Sequence, residues 1–310
     1  MPGQKVTLKQ NPVHYRGMSK SRKQGFRKTA KSRRDNSPPP VLYKYLDSNG
    51  ADKAFSAKGT VSVKFTPPNQ FNDPFDCSPG GFKHMPESEL RKSIVVCMYN
   101  HEREFRDKFQ HEGLVFEEIV RGYLSGLLAI DNVETARANA SGNLFQADFS
   151  KGVAILSLSE KNRNLLMWSH YAEQHRGIVL GIKSRAFTRF STLFVRYSKQ
   201  RPKMGPGLTD DEDQLKYTTK SPDWEYEAEW RVVAMKLHLC RLDDNGGDDG
   251  IFLHEIPPEE IDSVILGIRF EDPVLRWRIS DYCAKHPNIK LFQAKQDLHQ
   301  FQINLDHLNP

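Results

Sequence analysis

The segment SPDWEYEAEWRVV, Ser221 to Val233, packs two tryptophans, a tyrosine and three glutamates into thirteen residues and ends in an apolar pair. Aromatic residues at every second place predict a strand, in which successive side chains point to opposite faces. Trp224, Tyr226, Ala228 and Trp230 then share one side, and Glu225, Glu227, Glu229 and Arg231 the other. Like charges on alternate residues of one face repel. Either that face is solvated on a half-exposed strand, with Glu229 and Arg231 as a weak surface pair, or the carboxylates are gathered for chemistry.

The chain around this segment reads as further strands. VLYKYL (Val41 to Leu46), TVSVKF (Thr60 to Phe65), GVAILSLS (Gly152 to Ser159), GIVLGIK (Gly177 to Lys183) and TLFVRYS (Thr192 to Ser198) are β-branched or alternating runs, followed after the glutamates by IFLHEI, DSVILGI, IKLFQA and HQFQINL. Helical spacing appears in NLLMWSHYAEQH and PVLRWRISDYCAKH, and over residues 86–149, which read as a helical insertion. Strands and helices neither alternate as βα units nor segregate, which predicts an α+β fold with a mixed or split β-sheet core over residues 41–310.

Residues 1–40 hold eleven Lys and Arg against Asp35 and close on SPPP, a local net charge of +10 that leaves −4 on the remaining 270 residues. Such a basic, apolar-poor segment predicts a disordered arm, either a solubilising tail or a contact to nucleic acid or another polyanion. No apolar run approaches the roughly 18 residues that cross a bilayer, and no secretory h-region is present, so a cytoplasmic protein is expected. The four cysteines form no C-x-x-C pair, which gives neither a disulfide framework nor a zinc site.

Candidate site residues fall in four groups: Tyr43, Lys44 and Tyr45; Asn72, Asp73 and Asp76 in FNDPFD; Ser159 with Trp168, His170, Tyr171 and His175; and Glu227 with Glu229. Each has a structural alternative. Asn-Asp-Pro initiates turns, Trp168 and Tyr171 share a helical face that either packs in the core or stacks on a ligand, and His175 before Gly177 suits a helix end.

The order LYKYL, VKFTPPNQFNDPFD, ILSLSE, LMWSHYAEQHRGIVLGI, VRYSKQRP, DWEYEAEWRVV resembles the domain of unknown function 2971 family, mostly bacterial, over about residues 41 to 270. That resemblance implies no activity. A looser one does: a polar first strand, a Ser-containing middle strand and a late Glu-x-Glu strand are similar to the layout of ADP-ribosyltransferases, in which a split sheet holds NAD. On that likeness Glu229 is the catalytic carboxylate and Glu227 its partner. Tyr43 or Lys44 contacts ribose or phosphate, Ser159 orients the ribose or the glutamate, Trp168 or Tyr171 stacks on a ring, and Asn72 and Asp73 belong to the NAD site. The first strand has no His or Arg, where those enzymes carry one. The likeness implies an NAD-consuming toxin or phage-defence effector acting on a protein or nucleic acid. Two alternatives stand beside it: a magnesium-dependent nuclease built on Asp73, Asp76, Glu227 and Glu229, and a binding module without turnover.

Overall fold

A computed structural model of the chain describes residues 37–56, 59–78, 80, 152–203, 210–242 and 250–309. The basic arm, except for its last residues, and the expected helical insertion lie outside the described residues. Pro38 to Pro310 form one compact unit.

The fold is α+β. Its main sheet has eight strands, here labelled in chain order: β1 (Val41–Leu46), β3 (Val153–Ser159), β4 (Ile178–Lys183), β5 (Ser191–Phe194), β8 (Glu229–Met235), β11 (Ile261–Leu266), β12 (Lys290–Gln296) and β13 (Ile303–Leu308). Their order across the sheet is β13-β12-β11-β4-β1-β3-β8-β5. Only β11 and β12 run parallel; the other neighbours are antiparallel. A second, three-stranded sheet joins β2 (Val61–Phe65), β10 (Phe252–Ile256) and β9 (Cys240–Arg241), and the short β6 (Arg196–Tyr197) and β7 (Thr219–Lys220) pair in parallel. Helices α1 (Ser48–Ala54), α2 (Leu165–Tyr171), α3 (Asp210–Thr218) and α4 (Pro273–Lys285), with five short 3-10 turns, complete the described elements.

The main sheet is forked. β1 pairs with β4 over all six of its residues and β3 with β8 over all seven. Yet β1 and β3 are in register only at Tyr43 opposite Ser159. Beyond that pair β3 turns its edge to the chain leaving β2, through the two bonds between Thr66 and Ile155. The sheet therefore opens between β1 and β3, and polar side chains from both strands point into the gap.

Alternation along the strands sends two sets of apolar residues to opposite faces. Leu42, Leu156, Leu158, Leu180, Trp230 and Val232 belong to the larger core, which packs on α1, α4 and the small sheet. Tyr45, Val179, Ile265 and Ala294 belong to a smaller one, which α2 covers with Met167 and Trp168. At Gly181, across from Tyr43, a β-carbon would run into the Ser263 hydroxyl and crowd the Tyr43 ring 3.2 Å away, so the close approach of Ser263 goes with bare backbone there.

The glutamate strand expected from Trp224 onward is shorter than its sequence pattern. Pro222–Glu227 is a 3-10 turn, started by Ser221, whose hydroxyl accepts from the Asp223 amide, and by Pro222 at its first position. It ends at Ala228, held left-handed at φ 44°. Glu225 is consequently exposed and no longer shares a face with Glu229, and only Glu229–Met235 forms the strand. The expected TLFVRYS strand is also interrupted, as β5 and β6 on either side of Val195, and α1 and α3 lie between the runs read as strands.

Candidate functional site

Arg231 is the centre of the site, and it is fully buried. Its Nε and one Nη hold the two Glu229 oxygens at 2.8 and 2.9 Å. The two Nη atoms hold the Asp76 carboxylate at 2.8 and 2.6 Å, and Nη1 also donates to the Tyr217 carbonyl at 2.9 Å. All five guanidinium donors thus meet oxygen, in two forked pairs that tie the FNDPFD loop to β8. Of the two readings of the acidic face, the solvated one does not hold, because Glu227, Glu229 and Arg231 are all buried.

Lys220, also buried, supplies the second cation. Its Nζ lies 2.6 Å from Glu227, 3.3 Å from Glu229 and 3.6 Å from Asp76. Tyr171 on α2 donates to the other Glu227 oxygen at 2.6 Å. Asn164 aims that helix: its carboxamide oxygen caps the Leu166 and Met167 amides, while its Nδ2 donates to the Tyr226 carbonyl. The left-handed Ala228 turns the Glu227 carbonyl toward Ser159, whose hydroxyl donates to it at 2.5 Å, and the Glu229 amide toward the Tyr197 hydroxyl at 2.9 Å. A left-handed alanine is strained by roughly 1–2 kcal/mol. It brings two glutamates from different elements to one ammonium.

Of these groups Asp76, Tyr171, Lys220, Glu227 and Glu229 line a cavity of about 220 Å³ in the fork of the sheet, and Arg231 holds it from behind. Tyr43 and Lys44 enter from β1, Glu227 and Glu229 from the other side, with Asn72 and Tyr171 at its walls. Lys44 reaches across the gap to the Ser157 carbonyl at 3.2 Å.

The two carboxyls are pushed apart. Burial raises the Glu229 value, but Arg231 and Lys220 outweigh it and hold the group at about 2. For Glu227 burial prevails, aided by the negative Glu229, over the opposing pull of Lys220, so its value lies above the ordinary carboxyl range. Burial lowers the Lys44 value, with Glu229 only partly restoring it. Lys220 is drawn down by burial and lifted further by its three carboxylates, for a net rise.

Glu229 makes the fold acid-sensitive in a definite window. Its folded value of about 2 lies below its ordinary 4.5, so its stabilisation is complete above 4.5 and is lost as pH falls toward 2. Glu227 acts in the opposite sense, because a raised carboxyl favours the protonated, low-pH protein. Melting temperature is expected to fall between pH 4.5 and pH 2, and the slope to be shallower in Glu229→Gln. An equal slope in the variant contradicts the assignment. At Lys44 the expectation is reversed: a desolvated ammonium with no ion-pair partner among the described residues costs stability, so Lys44→Met should leave the urea midpoint unchanged or raise it. A fall of more than about 1 kcal/mol contradicts this.

Of the residues singled out in the sequence, Tyr43, Lys44, Tyr45, Asn72, Asp76, Tyr171, Glu227 and Glu229 meet at the cavity. Five do not line it, among them His170, whose ring bonds the Tyr226 hydroxyl, and His175, which stacks on Trp168. Ser159 is buried behind it, holding the Glu227 carbonyl. Trp168 is wholly buried, edge-on to Tyr45 and stacked on His175, with its indole nitrogen bonded to the Asn162 carbonyl, so it has no face to offer a ligand ring. Asp73 accepts from the Phe75 amide within its own loop. Lys220 and Tyr197 are additions that periodicity could not reveal, because each lies on a two-residue strand. Among the described residues no group of three or more His, Cys, Asp or Glu is placed to hold a metal ion. The acids of the metal-ion alternative are either paired with Lys220 and Arg231 or, for Asp73, turned into the loop.

Residues 167–232 match the family model described as a protein of unknown function, DUF2971. The matched span takes in Tyr171, Lys220, Glu227, Glu229 and Arg231, and leaves Tyr43, Lys44 and the FNDPFD loop outside it. It is narrower than the likeness over residues 41 to 270 read from the sequence blocks. No curated protein and no solved structure matches the chain. No helix among the described residues is long and apolar enough to cross a membrane.

Proposed function

We propose that the cavity in the fork is the active site of an enzyme that breaks a glycosidic bond, with NAD as the substrate and its ADP-ribosyl group passed to an acceptor. The observation that carries this reading is the separation of Glu227 from Glu229 within one cavity, one carboxyl raised and the other held at about 2. Two carboxyls driven apart by their surroundings are how a site divides acid-base work from charge stabilisation.

In the proposed reaction the bond between the ribose anomeric carbon and the nicotinamide nitrogen breaks, and its electron pair leaves with nicotinamide. Positive charge develops on the ribose, which a fixed anion in a water-poor cleft stabilises. Glu229 is that anion, locked by Arg231 and ionised at any physiological pH. An acceptor hydroxyl, or water, then bonds to the anomeric carbon and passes its proton to Glu227, whose raised value brings it nearer the working pH of a general base. Tyr171 and Lys220 orient the Glu227 carboxyl, and Lys44 faces the phosphates or ribose from β1.

Nicotinamide release from NAD by the purified full chain, alone and with RNA, DNA or a cell lysate as acceptor source, tests the proposal. Release above the uncatalysed rate is expected, and none in any mixture contradicts it. A second reading has its own observation: each oxygen of Glu227 and Glu229 already accepts a hydrogen bond from Tyr171, Lys220 or Arg231. A cavity so saturated suits a non-catalytic binding module, whose mark is a ligand that raises the melting temperature without turnover. The basic residues 1–40 add a proposed contact to nucleic acid in either case.

A further inference from the structure

A second cleft, of about 520 Å³, abuts the cavity and shares Asn72 and Lys220 with it. Two aromatic rings line it, Phe75 and Trp224, together with Lys199 and Arg201. Each ring is paired with a cation: the Arg201 guanidinium lies 5.5 Å from the Phe75 centroid, and the Lys220 ammonium 4.8 Å from that of Trp224.

Phe75 is the unusual element. It is 64% exposed, although the loop that carries it is anchored on both sides. Asp73 holds the Phe75 amide, Asp76 is clamped by Arg231, and Arg201 grips Ser78 through its carbonyl and hydroxyl at 2.6 to 3.0 Å. A loop built this firmly around an exposed ring presents the ring to something. Lys199 is exposed and has no ion-pair partner among the described residues, which gives the cleft a charge suited to an anion. Volume adds an independent argument. Sites for ligands of ordinary size run to about 300–1,000 Å³; the cavity at about 220 Å³ falls short of that range and the adjoining cleft at about 520 Å³ lies within it, so a ligand of ordinary size needs the cleft.

We propose that this second cleft binds the base and phosphate of a nucleotide, the base against Phe75 and Trp224 and the phosphate by Lys199, with the rest of the same ligand in the cavity. The inference deepens the proposed reaction and rests on one ligand spanning both spaces, but it needs no turnover to be tested. Stacking of a base on an aromatic side chain is sequence-tolerant and strong enough to read by substitution.

The test is calorimetric titration of the full chain with AMP, and with ribose 5-phosphate as the probe that lacks a base. AMP is expected to bind, and to bind about tenfold or more weakly to Phe75→Ala and to Trp224→Ala. Ribose 5-phosphate is expected to bind more weakly than AMP and to be indifferent to Phe75→Ala. Because Phe75 is largely exposed, its variant keeps the fold even if the Trp224 variant does not, and melting temperature checks both. AMP that fails to bind at millimolar concentration, or binds both variants as it binds the wild type, overturns the proposal. Phe75-dependent AMP binding in a protein that releases no nicotinamide sinks the reaction and sustains the cleft; release with AMP binding indifferent to Phe75 and Trp224 does the reverse.

Discussion

Arg231→Met is expected to lower stability by about 3–5 kcal/mol, the usual cost of stranding buried charges by removing one partner. Arg231 is wholly buried, and its loss leaves Asp76 and Glu229 facing each other with only Lys220 between them. Since domains commonly hold 5–15 kcal/mol in all, the urea midpoint should drop by a large fraction or the protein should fail to fold. Arg231→Lys is expected to be nearly as harmful, because one ammonium cannot replace two forked pairs. The triple change Arg231→Met, Glu229→Gln and Asp76→Asn should recover part of the loss, since it removes the two stranded carboxylates together with the guanidinium and leaves Lys220 paired with Glu227. A single variant with the wild-type midpoint contradicts the view that this cluster holds the FNDPFD loop to the sheet.

Glu227→Gln carries the second large effect. If Glu227 is the general base, ADP-ribosyl transfer to the acceptor should fall by roughly 10²–10⁴-fold, while stability at neutral pH changes by less than about 1 kcal/mol. The small cost follows from the surroundings: Lys220 keeps Glu229 and Asp76 as partners, and the amide oxygen can still accept from Tyr171. Glu229→Gln is a different experiment. Both Glu229 oxygens are bound to Arg231, so the variant should lose stability and activity together. Transfer unaffected by Glu227→Gln removes Glu227 from the chemistry.

The strands were largely legible because their alternation is local. Val41–Leu46, Val153–Ser159 and Ile178–Lys183 lie where β-branched and aromatic runs put them. The glutamate segment was misread for the same reason: its alternation continues through Trp224 and Tyr226, but Pro222 and the left-handed Ala228 break the backbone that alternation presupposes. Burial of the charges was not legible at all. A row of acids at every second residue reads as a wet face unless the partner is known, and Asp76 lies 155 residues from Arg231. Trp168 illustrates the converse, since its helical spacing fits a stacking platform and a core residue equally and the fold chose the core. The fork between β1 and β3, which makes the cavity, is a property of strand order, and no short stretch encodes it.

The most direct test of this account is a carbon-13 titration of the glutamate side-chain carboxyls in the full chain, assigned with Glu227→Gln and Glu229→Gln. The account predicts one carboxyl, absent from the first variant, titrating above the ordinary glutamate range, and another, absent from the second, still ionised at pH 3. Two carboxyls that titrate together near the ordinary 4.5 would contradict it, because the division of roles in the cavity depends on their being driven apart.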